Sequence, residues 1–326
     1  MNKLLAYGLI TIFSTGLLLS GCSKQTQDDK KSIDSNQIST LNIGYQKAAL
    51  KLIVAKQNQL FEKQFPHVKI EWKEFPAGPQ TLEALSVNSI DFGYTGDAQI
   101  VFALSAGKQL NYLGYEQSSR QAHAILLPNQ SSIKSLADLK GKRIALTRGS
   151  SAHNFLAETL KQAHLSWADI QPVWLTPSDA RAALDKKAID AWAVWDPYIS
   201  AAEIDGNAKI LFESTDLPTT YSYYLAQPNF VKNHPKDAEK VLAVLNQSDQ
   251  WINAHPSEAA EILAKSTGLD VKVTQKVIAK KPKPNPVAIL SSEAIQSQQK
   301  IADLFYSQKL IPNQIDAAQF VWKPAQ

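Results

Sequence analysis

The stretch RIALTRGSSAHN (residues 143–154) carries a strand–turn–helix pattern from which the fold of this chain can be read. Its apolar residues Ile144–Leu146 predict a buried strand, and Gly149 predicts a tight turn. Ser150 and Ser151 then begin a helix, because serine is a favoured N-cap residue. In α/β sheets, the loop at the carboxyl end of a strand is also where ligands bind. The stretch therefore predicts an α/β unit with a candidate binding loop.

The start of this helix is a candidate anion site. Backbone N–H groups in the first turn lack helical partners and, with the positive end of the helix dipole, attract anions. Ser150 and Ser151 would add hydroxyl donors, and His153 and Asn154 lie in the first turn and can add more. A capped helix with a solvent-facing histidine fits the same residues equally well.

Outward from this stretch, short apolar strands alternate with amphipathic helices from Leu41 onward. Such alternation predicts parallel sheets with covered faces. Two blocks of this kind are present, and after Pro228 the pattern changes to helices alone. We therefore predict an α/β fold of two lobes with a helical C-terminal tail that packs on the first lobe. Lobe 1 comprises residues 41–122 and 227–326, and lobe 2 comprises residues 123–226.

Two elements of this pattern bear on the topology. Apolar residues at helical spacing predict one helix over Ala48–Phe65. Tyr221–Ala226 predicts a strand at the point where the chain returns to the first lobe.

Two other strand ends carry candidate binding residues. Gly96 permits a close backbone approach, and Asp97 beside it is expected to cap the next helix. The alternatives for Asp97 are to accept a hydrogen bond from a ligand amine or to orient neighbouring donors. Trp192 and Trp195 fall on opposite faces of a predicted strand. Trp192 then fits the core, whereas Trp195 can offer a cleft an apolar wall and an indole N–H.

The N-terminus predicts an exported lipoprotein. Lys3 precedes the apolar run Leu4–Leu19, and two small residues separate this run from Cys22. The run of sixteen residues is shorter than the roughly 18 expected of a spanning helix, so residues 1–21 predict a cleaved leader. Residues 22–40 are polar, and predict a lipidated Cys22 followed by a disordered tether. An ordinary leader that contains a cysteine is the alternative.

The composition excludes several classes of protein. Cys22 is the only cysteine, which excludes internal disulfides, thiolate catalysis and a cysteine metal site. The net charge of +4 is small and scattered along the chain, which does not indicate nucleic-acid binding. The chain lacks a nucleophile elbow, an HExxH motif, a phosphate loop and a dinucleotide fingerprint. We predict a monomeric receptor and not an enzyme, with no cofactor and no metal site.

Several segments from about residue 41 to the C-terminus resemble the aliphatic sulfonate-binding proteins of ABC importers. The most specific of them are EFPAGPQ (residues 74–80), GSSxHN (149–154) and WDPY (195–198). The resemblance implies the type II clamshell fold of periplasmic binding proteins, in which two α/β lobes close on a small anionic organosulfonate. It places the ligand-binding residues at Gln46, Gly96, Asp97, Ser150, Ser151, His153, Asn154 and Trp195.

The resemblance also implies a role and partners. The chain would capture alkanesulfonates as a sulfur source at a lipid anchor in the periplasm or on the cell surface, and would deliver them to a membrane permease with its ATPase. Ala152 and the pair Ala98-Gln99 depart from the residues usual in the family. Receptors for taurine, nitrate, a sulfate ester or a thiamine precursor are the alternatives, and an enzyme on the same clamshell fold is a more remote one.

A sulfonate only accepts hydrogen bonds, so the residues that contact its oxygens must be donors. Asp97 would orient donors and would not contact the ligand. The alkyl tail requires an apolar wall, for which Trp195, Tyr45 and Tyr223 are the candidates.

Overall fold

Two five-stranded sheets form the framework of the chain in the computed structural model, which describes residues 38–324. The predicted leader (1–21), the predicted lipidation site Cys22 and the predicted tether up to residue 37 lie outside the described residues. The strands, in chain order, are β1 (Thr40–Tyr45), β2 (Lys69–Glu74), β3 (Phe92–Thr95), β4 (Asn111–Gln117), β5 (His123–Pro128), β6 (Arg143–Leu146), β7 (Gln171–Trp174), β8 (Ala191–Trp195), β9 (Ala208–Glu213) and β10 (Tyr221–Ala226).

Twelve α-helices connect and cover these strands within the described residues. In chain order they are α1 (Leu50–Gln57), α2 (Leu60–Gln64), α3 (Gly78–Ser86), α4 (Ala98–Ser105), α5 (Ser151–Gln162), α6 (Pro177–Asp185), α7 (Tyr198–Ile204), α8 (Pro228–Asn233), α9 (Pro235–Ala254), α10 (Pro256–Thr267), α11 (Val271–Lys280) and α12 (Ser292–Ser307). Short 3-10 turns at Leu136–Leu139, Trp167–Asp169, Ser214–Asp216 and Ala317–Phe320 complete the pattern.

Both sheets are mixed, which corrects the prediction of purely parallel sheets. The first has the order β2-β1-β3-β10-β4, and β10 runs antiparallel to both of its neighbours. The second has the order β7-β6-β8-β5-β9, and β5 is its antiparallel strand. The chain reaches β5 from β4 and β10 from β9, so each enters its sheet from the other one. A strand that enters in this way needs no crossover helix and is free to run antiparallel.

The strand β10 also corrects a predicted boundary, because residues 221–226 were assigned to lobe 2. Tyr223 pairs with Thr95 of β3 on one side and with Tyr115 of β4 on the other. The backbone hydrogen bonds of β10 are therefore made within the first sheet, and the return to that sheet is complete before residue 226.

The region predicted as one helix over residues 48–65 is divided into α1 and α2. Gln59 has a left-handed backbone with φ of 53° and starts α2 in a new direction. A single left-handed residue interrupts the helical hydrogen bonds but leaves the apolar spacing unchanged, which is why the spacing alone predicted one helix. The pattern also missed the short helix α8.

The predicted helical C-terminal region is confirmed, and it packs mainly on the first sheet's helices. α9 and α10 contact α1, and α12 contacts α4. α11 differs, because it also contacts α7, which follows the second sheet's strand β8. None of the helices between residues 38 and 324 combines the length and the apolar character needed to cross a bilayer.

Candidate functional site

A cavity of about 70 Å³ lies where residues of both sheets meet. Gln46 follows β1, and Gly96 and Asp97 follow β3. Ser151, the first residue of α5, reaches the same cavity from the second sheet. Ligands of α/β proteins bind at such carboxyl ends of strands. Other lining residues are Lys47, His123, Ser118, Ser119, Trp195, Asp196, Tyr221, Lys280 and Lys281.

Gly96 and Ser151, which line this cavity from different sheets, approach each other closely. A β-carbon added at Gly96 would lie 2.8 Å from the Ser151 Cβ atom and 3.1 Å from its Oγ atom. Neighbouring atoms would have to move, because side chains in proteins do not pack at such short distances. The close backbone approach predicted for Gly96 is thus present, and the group that it admits is Ser151.

Asp97 joins the two candidate loops. Its Oδ1 atom accepts a hydrogen bond of 2.7 Å from the backbone N–H of Ala98, so it caps α4 as predicted. Its Oδ2 atom accepts a hydrogen bond of 2.9 Å from the Asn154 side chain of α5. Burial raises the pKa of Asp97 to about 6, and the hydrogen bonds from Ala98 and Asn154 oppose this rise. Asp97 therefore orients a donor from the second sheet's side of the cavity.

His123 is a cavity residue that the sequence patterns did not single out. Its Nε2 atom lies 2.8 Å from the Ser151 hydroxyl, and its ring stacks on Phe155 at 5.6 Å. Burial lowers the pKa of His123 to about 4, so the ring is neutral near pH 7. A neutral imidazole can accept the Ser151 proton or donate its own, and the serine hydroxyl can adapt to either.

Ser150 occupies the N-cap position of α5 but does not cap it in the described structure. Its hydroxyl instead donates a hydrogen bond of 2.7 Å to the Thr147 carbonyl. The first turn of α5 therefore receives no hydrogen bond from the Ser150 side chain, whereas the Ser150 carbonyl accepts one of 2.9 Å from the His153 N–H. A helix start of this kind favours an anion.

The two remaining predicted residues of α5 lie away from this cavity. His153 is buried among aromatic rings and does not line it. Asn154 binds Asp97 and lines a second cavity. Of the four predicted positions between residues 150 and 154, only Ser151 therefore lines the first cavity.

Trp195 lines the cavity, whereas Trp192 is fully buried in the core beside the second sheet. This is the division of roles predicted for the pair. Gln46 holds the loop after β1 by donating a hydrogen bond of 3.0 Å to the Tyr94 carbonyl. Tyr45 and Tyr223 face other neighbours, since their hydroxyls bind Glu74 and the Ala294 carbonyl.

Charged residues at the back of the cavity come from α11 and from the end of β8. Lys280 pairs with Asp196 at 3.1 Å, and both side chains are largely buried. Burial lowers the pKa of the neighbouring Lys281. No short-range pattern could have identified these lysines, because 84 residues separate the two partners. Between residues 38 and 324, no group of three or more His, Cys, Asp or Glu side chains is placed to hold a metal ion.

A second cavity of about 90 Å³ adjoins the first and shares Asp97, His123 and Ser151 with it. Phe155 from α5, Ile301 from α12 and Leu217 from the connection between β9 and β10 form an apolar part of its wall. Glu158 and Lys300 also line this cavity. The start of α5 thus stands between the two cavities.

Comparison with known proteins identifies the family of the chain. The NMT1/THI5 like family model matches residues 46–259. The alkanesulfonate-binding protein SsuA from Xanthomonas axonopodis pv. citri, solved with MOPS bound, has a TM-score of 0.85 and 43% identity, covering 88% of this chain and 99% of that one. The periplasmic aliphatic sulphonate binding protein SsuA from Escherichia coli has a TM-score of 0.81 and 43% identity, covering 89% and 94%.

The desulfurization enzyme DSZB is also similar in structure, with a TM-score of 0.66, 14% identity and coverage of 87% and 96%. At that identity the likeness concerns the fold alone. The predicted α/β periplasmic-binding-protein fold is confirmed by the two SsuA structures. The chain therefore belongs to the NMT1/THI5 like family and, within it, to the aliphatic sulfonate-binding proteins.

Proposed function

We propose that this protein is the solute-binding component of an ABC importer and that it captures alkanesulfonates as a source of sulfur. The observation that carries the proposal is the cavity at the start of α5, which Ser151 lines together with the donor side chains of Gln46 and Lys280. A sulfonate is an anion whose three oxygens only accept hydrogen bonds, which suits a helix start. The two SsuA proteins of similar fold, with 43% identity, are binding proteins for this class of solute.

The sulfonate group would occupy the first cavity. Ser151, Gln46 and Trp195 carry donor groups and line this cavity. Lys280, paired with Asp196, and Lys281 line it as well. Asp97 would not contact the ligand, because its oxygens accept hydrogen bonds from Ala98 and Asn154 and a sulfonate has no proton to donate to them. Its role in the proposal is to hold α4 and α5 in register.

The alkyl tail would extend into the second cavity, against Phe155, Leu217 and Ile301. This differs from the tail wall expected from the sequence, which consisted of Trp195, Tyr45 and Tyr223. Each methylene group that leaves water for an apolar wall contributes roughly 0.8 kcal/mol. Affinity should therefore rise from ethanesulfonate to hexanesulfonate, and Phe155→Ala should reduce this rise.

The two sheets would be the centres of two lobes that close on the ligand. The corrected division gives β1–β4, β10 and the C-terminal helices to one lobe, and β5–β9 to the other. Ligand would select the closed form, because only that form presents Gly96 and Ser151 to the same solute. The closed receptor would then deliver its ligand as a monomer to a membrane permease driven by its ATPase.

A lipid anchor at Cys22 would hold the receptor near that permease, in the periplasm or on the cell surface. Palmitate labelling of cells that express the wild type and Cys22→Ala tests the anchor. Label on the wild type alone is expected, and an unlabelled wild type would contradict it.

Calorimetry on the purified receptor tests the ligand class. Ethanesulfonate, butanesulfonate and hexanesulfonate should bind more tightly than taurine, nitrate or sulfate. Ser151→Ala and Trp195→Ala should each weaken binding about tenfold, which corresponds to 1.4 kcal/mol. Ser132→Ala, at an exposed serine away from the cavity, is the matched control. Tighter binding of taurine or nitrate than of every alkanesulfonate would overturn the ligand class.

A receptor also returns its ligand unchanged, in contrast to an enzyme on the same fold. Prolonged incubation of the protein with butanesulfonate should release no sulfite. Sustained sulfite release in proportion to protein concentration would instead assign it a catalytic role.

A further inference from the structure

His153 lies at a contact between helices of the two sheets and not in the ligand cavity. Its ring stacks on Phe102 of α4 at 5.3 Å and lies 5.6 Å from Phe305 of α12, both on the first sheet's side. On its own side, Trp167 lies 4.7 Å away and perpendicular, and Trp174 lies 5.3 Å away. Four aromatic rings from both sides therefore enclose the imidazole, which is 3% exposed.

One nitrogen of this ring is engaged with the turn that precedes α5. The His153 Nδ1 atom accepts a hydrogen bond of 3.2 Å from the backbone N–H of Gly149. Gly149 has a left-handed backbone with φ of 70°, the conformation that brings the chain from β6 into α5. Because Nδ1 accepts here, the proton of the neutral ring resides on Nε2.

The other nitrogen, Nε2, has no hydrogen-bond partner among the described residues. A buried donor without a partner is uncommon in folded proteins and calls for an explanation. The contacts of the imidazole are instead those with the four rings and the hydrogen bond from Gly149. The position of the imidazole is therefore determined by the ring packing and by Gly149.

The same two helices meet both at the cavity and at His153. α4 begins at Ala98, after its cap Asp97 at the cavity, and presents Phe102 to the imidazole. α5 begins at Ser151 beside the cavity and presents His153 to Phe102. Phe102 also lies 3.4 Å from the place of a β-carbon on Gly149. A change in the contact between Phe102 and His153 would therefore shift the turn at Gly149, which sets the position of Ser151.

We propose that His153 is a positioning residue that does not touch the ligand. It would make the orientation of the α5 N-terminus depend on contact between the first sheet's side and the second sheet's side of the receptor. The proposal rests on the alkanesulfonate function given above. With Phe102 and Phe305 in place, the imidazole holds the Gly149 N–H and so keeps the Gly149–Ser151 turn in its binding geometry. When the two sides separate, two of the four rings leave the imidazole and the turn is released.

Three variants separate this role from ligand contact and from general packing. His153→Phe keeps an aromatic ring but removes the acceptor for Gly149. His153→Asn places an amide oxygen near the position of Nδ1 but removes the ring. Phe102→Leu leaves the hydrogen bond intact and removes the stacked ring from the other side. Phe65→Leu, in a separate core region, is the control for loss of a buried aromatic ring.

Butanesulfonate dissociation constants from calorimetry, measured together with unfolding temperatures, provide the test. His153→Phe and Phe102→Leu should each weaken binding about tenfold or more, and His153→Asn should retain more affinity than His153→Phe. The double variant His153→Phe/Phe102→Leu should lose less than the product of the two single losses, because both act on one unit. Phe65→Leu should lower the unfolding temperature but keep the dissociation constant within about twofold.

The outcomes distinguish this inference from the function on which it rests. If the wild type binds butanesulfonate and His153→Phe binds it equally well, the positioning role is refuted and the function stands. If His153→Phe loses affinity and Phe102→Leu does not, His153 acts as a local or direct contact and the coupling is refuted. If the wild type binds no sulfonate, the proposed function fails and the inference fails with it.

Discussion

The contact between Gly96 and Ser151 makes Gly96→Ala an informative perturbation. The added methyl group would meet the Ser151 Cβ atom at 2.8 Å, where ordinary packing contacts begin at 3.4 Å. Gly96 is not among the glycines with positive φ, so alanine fits its backbone and only the space is lacking. The substitution therefore forces apart two residues that approach the cavity from different sheets.

The expected loss of affinity follows from this overlap. Forcing one methyl group into a well-packed contact costs about 1–3 kcal/mol. Since every 1.4 kcal/mol changes a dissociation constant tenfold, the affinity for butanesulfonate should fall about five- to 150-fold. The unfolding temperature should change little if the two sides relieve the overlap by moving apart.

Calorimetry on a double-mutant cycle checks this account. Ser151→Gly removes the β-carbon that the new methyl group would meet, together with the serine hydroxyl. Gly96→Ala should therefore cost much less in the Ser151→Gly background than in the wild type. Equal costs in both backgrounds, or wild-type affinity in Gly96→Ala alone, would refute the steric reasoning.

Three further predictions concern stability. Burial lowers the pKa of His123 from 6.5 to about 4 in the folded protein, so the unfolded chain is protonated first, and the stability that neutral His123 contributes is lost as pH falls from about 6.5 to about 4. Urea midpoints across this range should therefore fall less steeply for His123→Phe than for the wild type. Equal slopes would contradict the pKa shift. Lys280→Met removes the lysine that pairs with the buried Asp196 carboxylate, which should lower the free energy of unfolding by about 3 kcal/mol. In urea titrations, the double variant Lys280→Met/Asp196→Asn should recover most of this loss. Asp270 caps α11, because its side chain accepts a hydrogen bond of 2.7 Å from the Lys272 N–H. Asp270→Ala should therefore lower the free energy of unfolding by about 1 kcal/mol and leave sulfonate affinity unchanged. An unaltered urea midpoint would show that the cap contributes nothing.

The parts of the site that could be predicted are those encoded by neighbouring residues. The turn at Gly149 and the start of α5 at Ser151 follow from residues adjacent in sequence, and both are present. The cap at Asp97 is equally local, because its oxygen binds the N–H of the next residue. Serine at a helix start, however, did not reveal that the Ser150 hydroxyl binds the Thr147 carbonyl and leaves the helix uncapped by that residue.

The neighbours of His153 could not be predicted from the local sequence. Its place in the first turn of a donor-rich helix favoured ligand contact. Its actual neighbours, Phe102 and Phe305, are brought to it by packing between helices that are distant in the chain. Lys280 and Asp196 became neighbours for the same reason.

The sequence by itself determined the α/β class, the helical C-terminal region and the strand ends that carry Gly96, Asp97 and Ser151, because strand periodicity, caps and turns depend on a few consecutive residues. Only the tertiary structure decided that β5 and β10 run antiparallel, that Gly96 meets Ser151, and that His153 faces rings instead of the cavity. Those outcomes depend on which distant surfaces exclude water together, and short-range spacing carries no information about that choice.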